Sequence, residues 1–198
     1  MQLSPHKRGN VLPLPVVLIS TISKAGIHNV AQWGNITPIL RPLDEIVLAT
    51  WLRRDTLDNI RETGEFVVNV PPAAMIEEVM ICARNFLPEV DEFEEAGLIP
   101  RPSTAVAPPG IEGAVAWMEC RLVEEITREK YALVIGTVVH LEVDDRHATA
   151  GGDVDFDAAR PLCMVCGNDG IRFAYPTDTG RCALYSEMLA GKSTSMNE

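Results

Sequence analysis

A chain of 198 residues with a net charge of −11 is long enough to bury a real core, and its overall field works against nucleic acid or an anionic membrane as partner. At 46% apolar residues it reads as an ordinary globular protein, and no apolar run approaches the roughly 20 residues of a membrane span. Five cysteines, odd in number and without a regular framework, fit a reducing compartment, so a cytoplasmic protein of one domain over 1–198 is expected.

Residues 1–14 read as an irregular arm, since Pro5, Pro13 and the following Pro15 deny it a regular ladder. The start MQLSPHKRGN then VLPLPVVLIS imitates a signal peptide, but its prolines and the lack of a small-residue cleavage site before Lys24 make it a leader loop. Val16 to Ile22 is a continuous apolar and β-branched run, as in a strand covered on both faces. Lys24-Ala25-Gly26 turns the chain, and His28 to Thr37 returns as a second strand. Gly34 inside that strand marks either a bulge or a place where a flat ligand approaches the backbone. Glu45 to Trp51 is a third strand.

The segment TWLRRDTLDNIRETGEFVVN, Thr50 to Asn69, then reads as strand end, short helix and strand. Asp55 or Thr56 can cap that helix, Gly64 stops it, and Leu57 and Ile60 dock it on a sheet. Arg53 and Arg54 stand at its entrance, so free amides, the positive dipole end, a hydroxyl and guanidinium groups converge on a seat for a phosphate. Spacing equally allows both arginines to be solvated loop residues. Trp33 and Trp51 could seat a planar ring beside the glycine breach, or both could be core.

Pro71-Pro72 ends the next ladder, and Ile76, Val79, Met80 and Ala83 predict a helix with one buried stripe. Asp91 to Gly97 is a short acidic helix with a capping-box spacing, and Ile99 to Gly113 is expected to run extended over the surface. Ala116, Met118, Cys120 and Leu122 alternate as the buried face of a strand, as do Leu133, Ile135, Thr137, Val139, Leu141 and Val143 in the next. After a polar loop from Asp144 to Asp157, Leu162–Cys166 and Ile171–Tyr175 flank the turn Gly167-Asn168-Asp169-Gly170. Arg181 to Leu189 is expected as a last helix, with an irregular tail over 192–198. The sum is a mainly β, antiparallel protein of Greek-key type, whose sheet closes wholly or partly into a barrel and so loses its edges.

Few residues suggest acid–base or metal chemistry. Cys163 and Cys166 form a C-x-x-C, but no second ligand pair exists, and positions three apart on a strand diverge, so no metal is expected and the cysteines read as small apolar residues. His6, His28, His140 and His147 lack partners at diagnostic spacing, and no nucleophile-elbow, dinucleotide-binding or P-loop glycine pattern occurs.

The stretches PLPVVLISTISKAGIHNVAQWGNITPI and LATWLRRDTLDNIRETGEFVVNVP resemble the flavin reductase-like, FMN-binding split-barrel family, and EVDEFEEAGLIPRPSTAVAPPGIEGAVAWMECRLVEE resembles its flavoredoxin-like branch. The resemblance spans Pro13 to Tyr175. It implies a homodimer of six-stranded split β-barrels with FMN near the subunit boundary. It also implies an isoalloxazine ring along Trp33, Gly34, Asn35, Ile36 and Thr37, and a phosphate held by Thr50, Trp51, Arg53, Arg54 and Thr56 with Asn59 supporting the turn. Arg54 stands where lysine is frequent, and Gln32 where proline is common. The expected activity passes electrons from NADH or NADPH through FMN to an acceptor, without an essential acid–base residue. The alternatives are an FMN electron carrier reduced by a redox protein partner, and a binding module that has lost flavin.

Overall fold

The computed structural model describes residues 1–183. Its elements in chain order are β1 (Leu14–Pro15), β2 (Val17–Ile22), β3 (His28–Trp33), β4 (Ile36–Pro38), β5 (Glu45–Trp51), α1 (Asp55–Thr63), β6 (Glu65–Val70) and α2 (Ile76–Cys82). There follow α3 (Glu92–Ala96), β7 (Pro100–Arg101), β8 (Gly110–Ile111), β9 (Ala116–Thr127), β10 (Tyr131–Val143), α4 (Phe156–Ala159), β11 (Cys163–Cys166) and β12 (Ile171–Ala174). The helix expected from Arg181 lies, beyond residue 183, outside the described residues.

Seven strands form one antiparallel sheet in the order β3-β2-β6-β9-β10-β5-β4. Its two edge strands, β3 and β4, are consecutive in sequence and separated only by Gly34-Asn35. The strand expected from His28 to Thr37 is therefore broken at the glycine: its first half pairs with β2, its second with β5. A sheet whose two edges are two residues apart along the chain must curl into a barrel that is open only at that break. Counted as one interrupted strand, β3 and β4 reduce the barrel to six strands, as the resemblance implies.

The inside of the barrel is filled by Ile19, Leu48, Phe66, Val68, Cys120 and Val134, with Leu57 and Ile60 of α1 packed on the same core. A second core lies between the sheet and α2 and α3, built from Leu18, Val30, Val79, Phe93, Ile111 and Leu162. Residues 17–21 are all buried because alternate side chains enter these two cores, which is why β2 is apolar without alternation.

The alternation expected in β10 has the opposite sense. Ala132, Val134 and Gly136 are the buried set, while Leu133, Ile135 and Thr137 lie half-buried on the outside. A bulge then skips Val139, so Leu141 and Val143 pair opposite Met118 and Ala116 and change face. The inner residues are small because Phe66 needs the space: a Cβ on Gly136 would lie 2.7 Å from Phe66 Cζ. In α2 the buried stripe is Val79 and Cys82, while Met80 and Ala83 are exposed, since the helix ends at Cys82 and Ala83 is already its C-cap.

Two further expectations change in detail. Leu14–Pro15 is not irregular but pairs with β11 as the edge of a small sheet with β12, where a missing amide is tolerated. The proline-rich segment runs over the surface as far as Ala107, as expected, but is pinned there, and residues 108–111 are buried. The buried Glu119 carboxylate accepts from the Thr104 and Ala105 amides at 2.8 and 2.5 Å, and Asn69 Oδ1 accepts from Ile111 N at 2.9 Å.

Because a Cβ on Gly136 would meet a rigid ring and lie 3.2 Å from Arg121 O, Gly136→Ala should lose about 1–3 kcal/mol of stability. Urea denaturation reads this directly, and an unchanged midpoint would show that Phe66 yields freely.

Candidate functional site

Helix α1 begins differently from expectation. Its N-cap is Arg54, in extended conformation, and no side chain caps the first turn. Asp55 and Thr56 are already helical, so neither caps it. The opening amides remain available to an outside acceptor, and Gly64, left-handed at φ 75°, closes the helix as expected.

Thr56 instead turns inward. Its hydroxyl donates to Asn29 Oδ1 at 2.8 Å, and the Thr21 hydroxyl donates to the same oxygen at 3.2 Å. Asn59 Nδ2 donates to Thr21 Oγ1 at 3.0 Å. On the other side, Asn29 Nδ2 and the Val30 amide donate to Glu92 Oε2 at 2.5 and 2.7 Å. All five side chains are buried, so this relay joins α1, β2, β3 and α3 in one hydrogen-bonded chain. Burial pushes the Glu92 carboxyl up to about 7, with its two donors opposing the rise. Beside it, Asp91 caps α3 through the Phe93 amide at 2.9 Å and meets His28 Nδ1 at 3.1 Å.

A cleft of about 590 Å³ opens at the barrel break, lined among others by Trp33, Gly34, Asn35, Thr50, Trp51 and Arg54. A second lobe of about 400 Å³, lined by Arg53, Asp55, Thr56, Asn85, Phe86 and Glu92, shares Ala31, Trp51, Arg54 and Arg84 with the first. Eight of the residues singled out in the sequence thus meet in one two-lobed cleft. Three do not. Ile36 and Thr37 line a separate apolar cleft of about 330 Å³ with Val17, Met118 and Pro176, because the break turns β4 toward the barrel interior. Asn59 lies in the buried relay, where it ties α1 to β2.

The break also decides how Gly34 is used. A Cβ there would overlap the methyl of Met164 and lie 3.1 Å from Pro15 O, so the missing side chain admits the small sheet against the barrel. The two tryptophans divide: Trp33 is buried, Trp51 is 61% exposed on the cleft rim. Trp33 lines the cleft, and among the described residues its buried Nε1 has no hydrogen-bond partner.

Arg8, Arg53, Arg54 and Arg84 surround this space, and among the described residues none of the four forms a salt bridge. Arg54 Nη1 donates to Asn85 Oδ1 at 2.5 Å. In a chain of charge −11 this is a local concentration of positive charge. Arg84 and Asn85 follow α2 with no recognisable motif and were missed. Arg8 is visible as a basic island, but nothing in the spacing links it to Arg54. Cys82 and Tyr131 also line the cleft; burial, then the nearby Glu92 charge, pushes the Cys82 thiol up to about 12, which removes it as a thiolate nucleophile. Cys163 and Cys166 are half-buried and line different clefts, as residues three apart on a strand do.

The flavin reductase like domain profile matches residues 9–164. The chain belongs to the flavin reductase-like family. An uncharacterized protein of Methanothermobacter thermautotrophicus is 44% identical over 96% of this chain and 92% of its own. The fold is shared with flavoredoxin of Desulfovibrio vulgaris (TM-score 0.83, 20% identity, 97% and 100% of the two chains covered). It is shared as well with an FMN-binding domain of a flavin reductases-like enzyme from Shewanella baltica (TM-score 0.74, 21% identity, 85% and 89% covered).

Burial of Glu92 has a stability consequence with a definite sign. Its carboxyl is held near 7 in the folded chain against about 4.3 unfolded, so between those values the folded state binds more protons and stability falls as pH rises. Relative to Glu92→Gln, the wild-type chain should lose roughly 1–3 kcal/mol between pH 4.5 and 7.5. Urea titrations of both proteins across that range measure it; a constant difference would place the carboxyl in water.

Proposed function

We propose that this family member binds FMN in the two-lobed cleft and works as an oxidoreductase, taking electrons from NADH or NADPH and passing them to an acceptor. The observation that carries this reading is the uncapped start of α1 ringed by Arg53, Arg54 and Arg84, next to an open lobe walled by tryptophans. The donor set suits a phosphate monoester: backbone amides at a nine-residue helix, guanidinium groups that form no salt bridge among the described residues, and an indole N–H in the adjoining lobe.

Bound FMN would supply the hydride and electron chemistry. The chain's own residues hold and orient. Arg53 and Arg54 would take the phosphate, and Asn85 holds the Arg54 guanidinium in place. Trp33, Asn35, Thr50 and Trp51 would border the ring, and Met164 closes the lobe behind Gly34. No side chain in the cleft needs to exchange a proton with substrate, in keeping with chemistry that resides in the cofactor.

A homodimer is part of this proposal. Its support is the apolar cleft lined by Ile36, Ile46, Val70, Met118 and Leu162, with Leu141 63% exposed, surface that a second copy would cover. A cytoplasmic setting fits the free thiols of all five cysteines. Among the described residues no helix is long and apolar enough to cross a membrane.

The net charge of −11 favours a second reading, an FMN electron carrier steered by charge to a protein donor and unreactive with nicotinamide nucleotides. Rapid mixing with NADH and NADPH separates them: bleaching of the flavin band supports the first, its absence with both nucleotides the second. Replacing both Arg53 and Arg54 by alanine should weaken FMN binding about ten- to hundredfold while leaving riboflavin binding unchanged. Equal FMN affinity in the double variant would remove the phosphate seat.

A further inference from the structure

We propose that Glu92 sets the direction of hydrogen bonding at Thr56, so that a phosphate monoester is taken up at the start of α1 together with one proton. The inference rests on the cofactor reading above and adds to it a positioning residue, Glu92, at the wall of the lobe, that acts through Asn29 and Thr56.

The relay has a polarity. Asn59 donates to Thr21, Thr21 and Thr56 both donate to Asn29 Oδ1, and Asn29 donates to Glu92. Every proton points toward the carboxylate, as an ionised Glu92 requires, because it can only accept. The Thr56 hydroxyl proton is therefore committed inward, and the oxygen can offer only lone pairs to the arginine-lined lobe. A dianionic phosphate beside those lone pairs lacks the donor that a threonine at a helix start would otherwise provide.

Protonation of Glu92 reverses the chain without moving any backbone. The carboxylic acid donates to Asn29 Oδ1, the Asn29 amide turns over so that its Nδ2 donates to Thr56 Oγ1, and the Asn59 amide turns over in turn so that its Oδ1 accepts from the Thr21 hydroxyl, freeing the Thr56 proton for the lobe. The Val30 amide keeps its acceptor in both states, since Oε2 retains a lone pair. Burial of all five side chains makes the two fully satisfied arrangements far better than any mixed one.

The charged surroundings permit such a switch. Asp55 on α1 and Asp91 on α3 both favour the protonated form of Glu92, with Asp91 itself held by His28 of β3. From α2 the neutral Cys82 thiol faces it with Glu78 beyond, while Arg54 and Arg84 line the same lobe. With a midpoint near 7, the proton is available at neutral pH.

The test is FMN affinity from pH 6 to 8, by quenching of flavin fluorescence, in wild type, Glu92→Gln and Thr56→Ser, with riboflavin as the control lacking phosphate. Glutamine cannot titrate: its amide oxygen in the place of Oε2 accepts from both Asn29 Nδ2 and the Val30 amide, and so holds the inward arrangement at every pH. The wild-type dissociation constant should rise roughly tenfold relative to that of Glu92→Gln over this range, and Thr56→Ser should follow wild type. Both proteins share the phosphate's own titration near pH 6, so the ratio isolates Glu92. Calorimetry at pH 8 in buffers of different ionisation heat should count close to one proton taken up per FMN in wild type and none in Glu92→Gln. Parallel profiles, or a pH effect equal for riboflavin, would overturn the proposal and leave the cofactor reading intact. Failure of every variant to bind FMN at any pH would remove both.

Discussion

Gly34 and Asn35 join the two edge strands of a single sheet, and most of the architecture follows from that junction. With β3 and β4 held two residues apart by the chain, the five strands between them have to curl, and the hydrogen-bonded edges that an open sheet would expose are brought to one seam. The seam cannot close, because β3 pairs with β2 and β4 with β5, leaving the two halves of the interrupted strand to diverge. Divergence makes the cleft. The small sheet of β1, β11 and β12 packs into the seam from behind, with Met164 occupying the place of a Gly34 side chain.

The same seam collects charge. The chain carries 28 acidic residues against 17 basic ones, yet Arg8 from the leader, Arg53 and Arg54 from the β5–α1 turn, and Arg84 from the end of α2 line one continuous cleft. Four other arginines face carboxylates: Arg61–Glu125, Arg101–Glu142, Arg121–Glu65 and Arg146–Asp144. Four arginines without a salt bridge among the described residues raise the local potential around this opening, and exposed ion pairs elsewhere contribute little stability in any case.

Under the cleft the interior is polar rather than apolar, which is costly unless every group is satisfied. Asn29 makes it affordable by serving as acceptor to two hydroxyls and donor to one carboxylate at once. It couples the helix start that faces the cleft to the start of α3, which would otherwise be held to the sheet only by Phe93, Ala96 and the His28 contact.

The residue order alone determined the features that depend on neighbours in the chain: the twice-buried run of β2, the turn at Gly26, the β5–α1–β6 unit with its glycine stop, and the hairpin around residues 167–170. It also singled out Gly34 beside Trp33, and Arg53 and Arg54 at a helix start, as candidates with local causes, while Asn35 and Thr50 came from the family resemblance. Tertiary structure decided what local pattern left degenerate. Both parities of β10 are apolar, so only Phe66 and the bulges at Val123 and Val139 choose which one faces inward. Thr56 is an acceptable cap by type, yet a buried asparagine 27 residues away takes its proton. Arg84 and Arg8 carry no motif, because what brings them to Arg54 is the curl of the barrel, and a curl is a property of strand pairing over the whole chain rather than of any window within it.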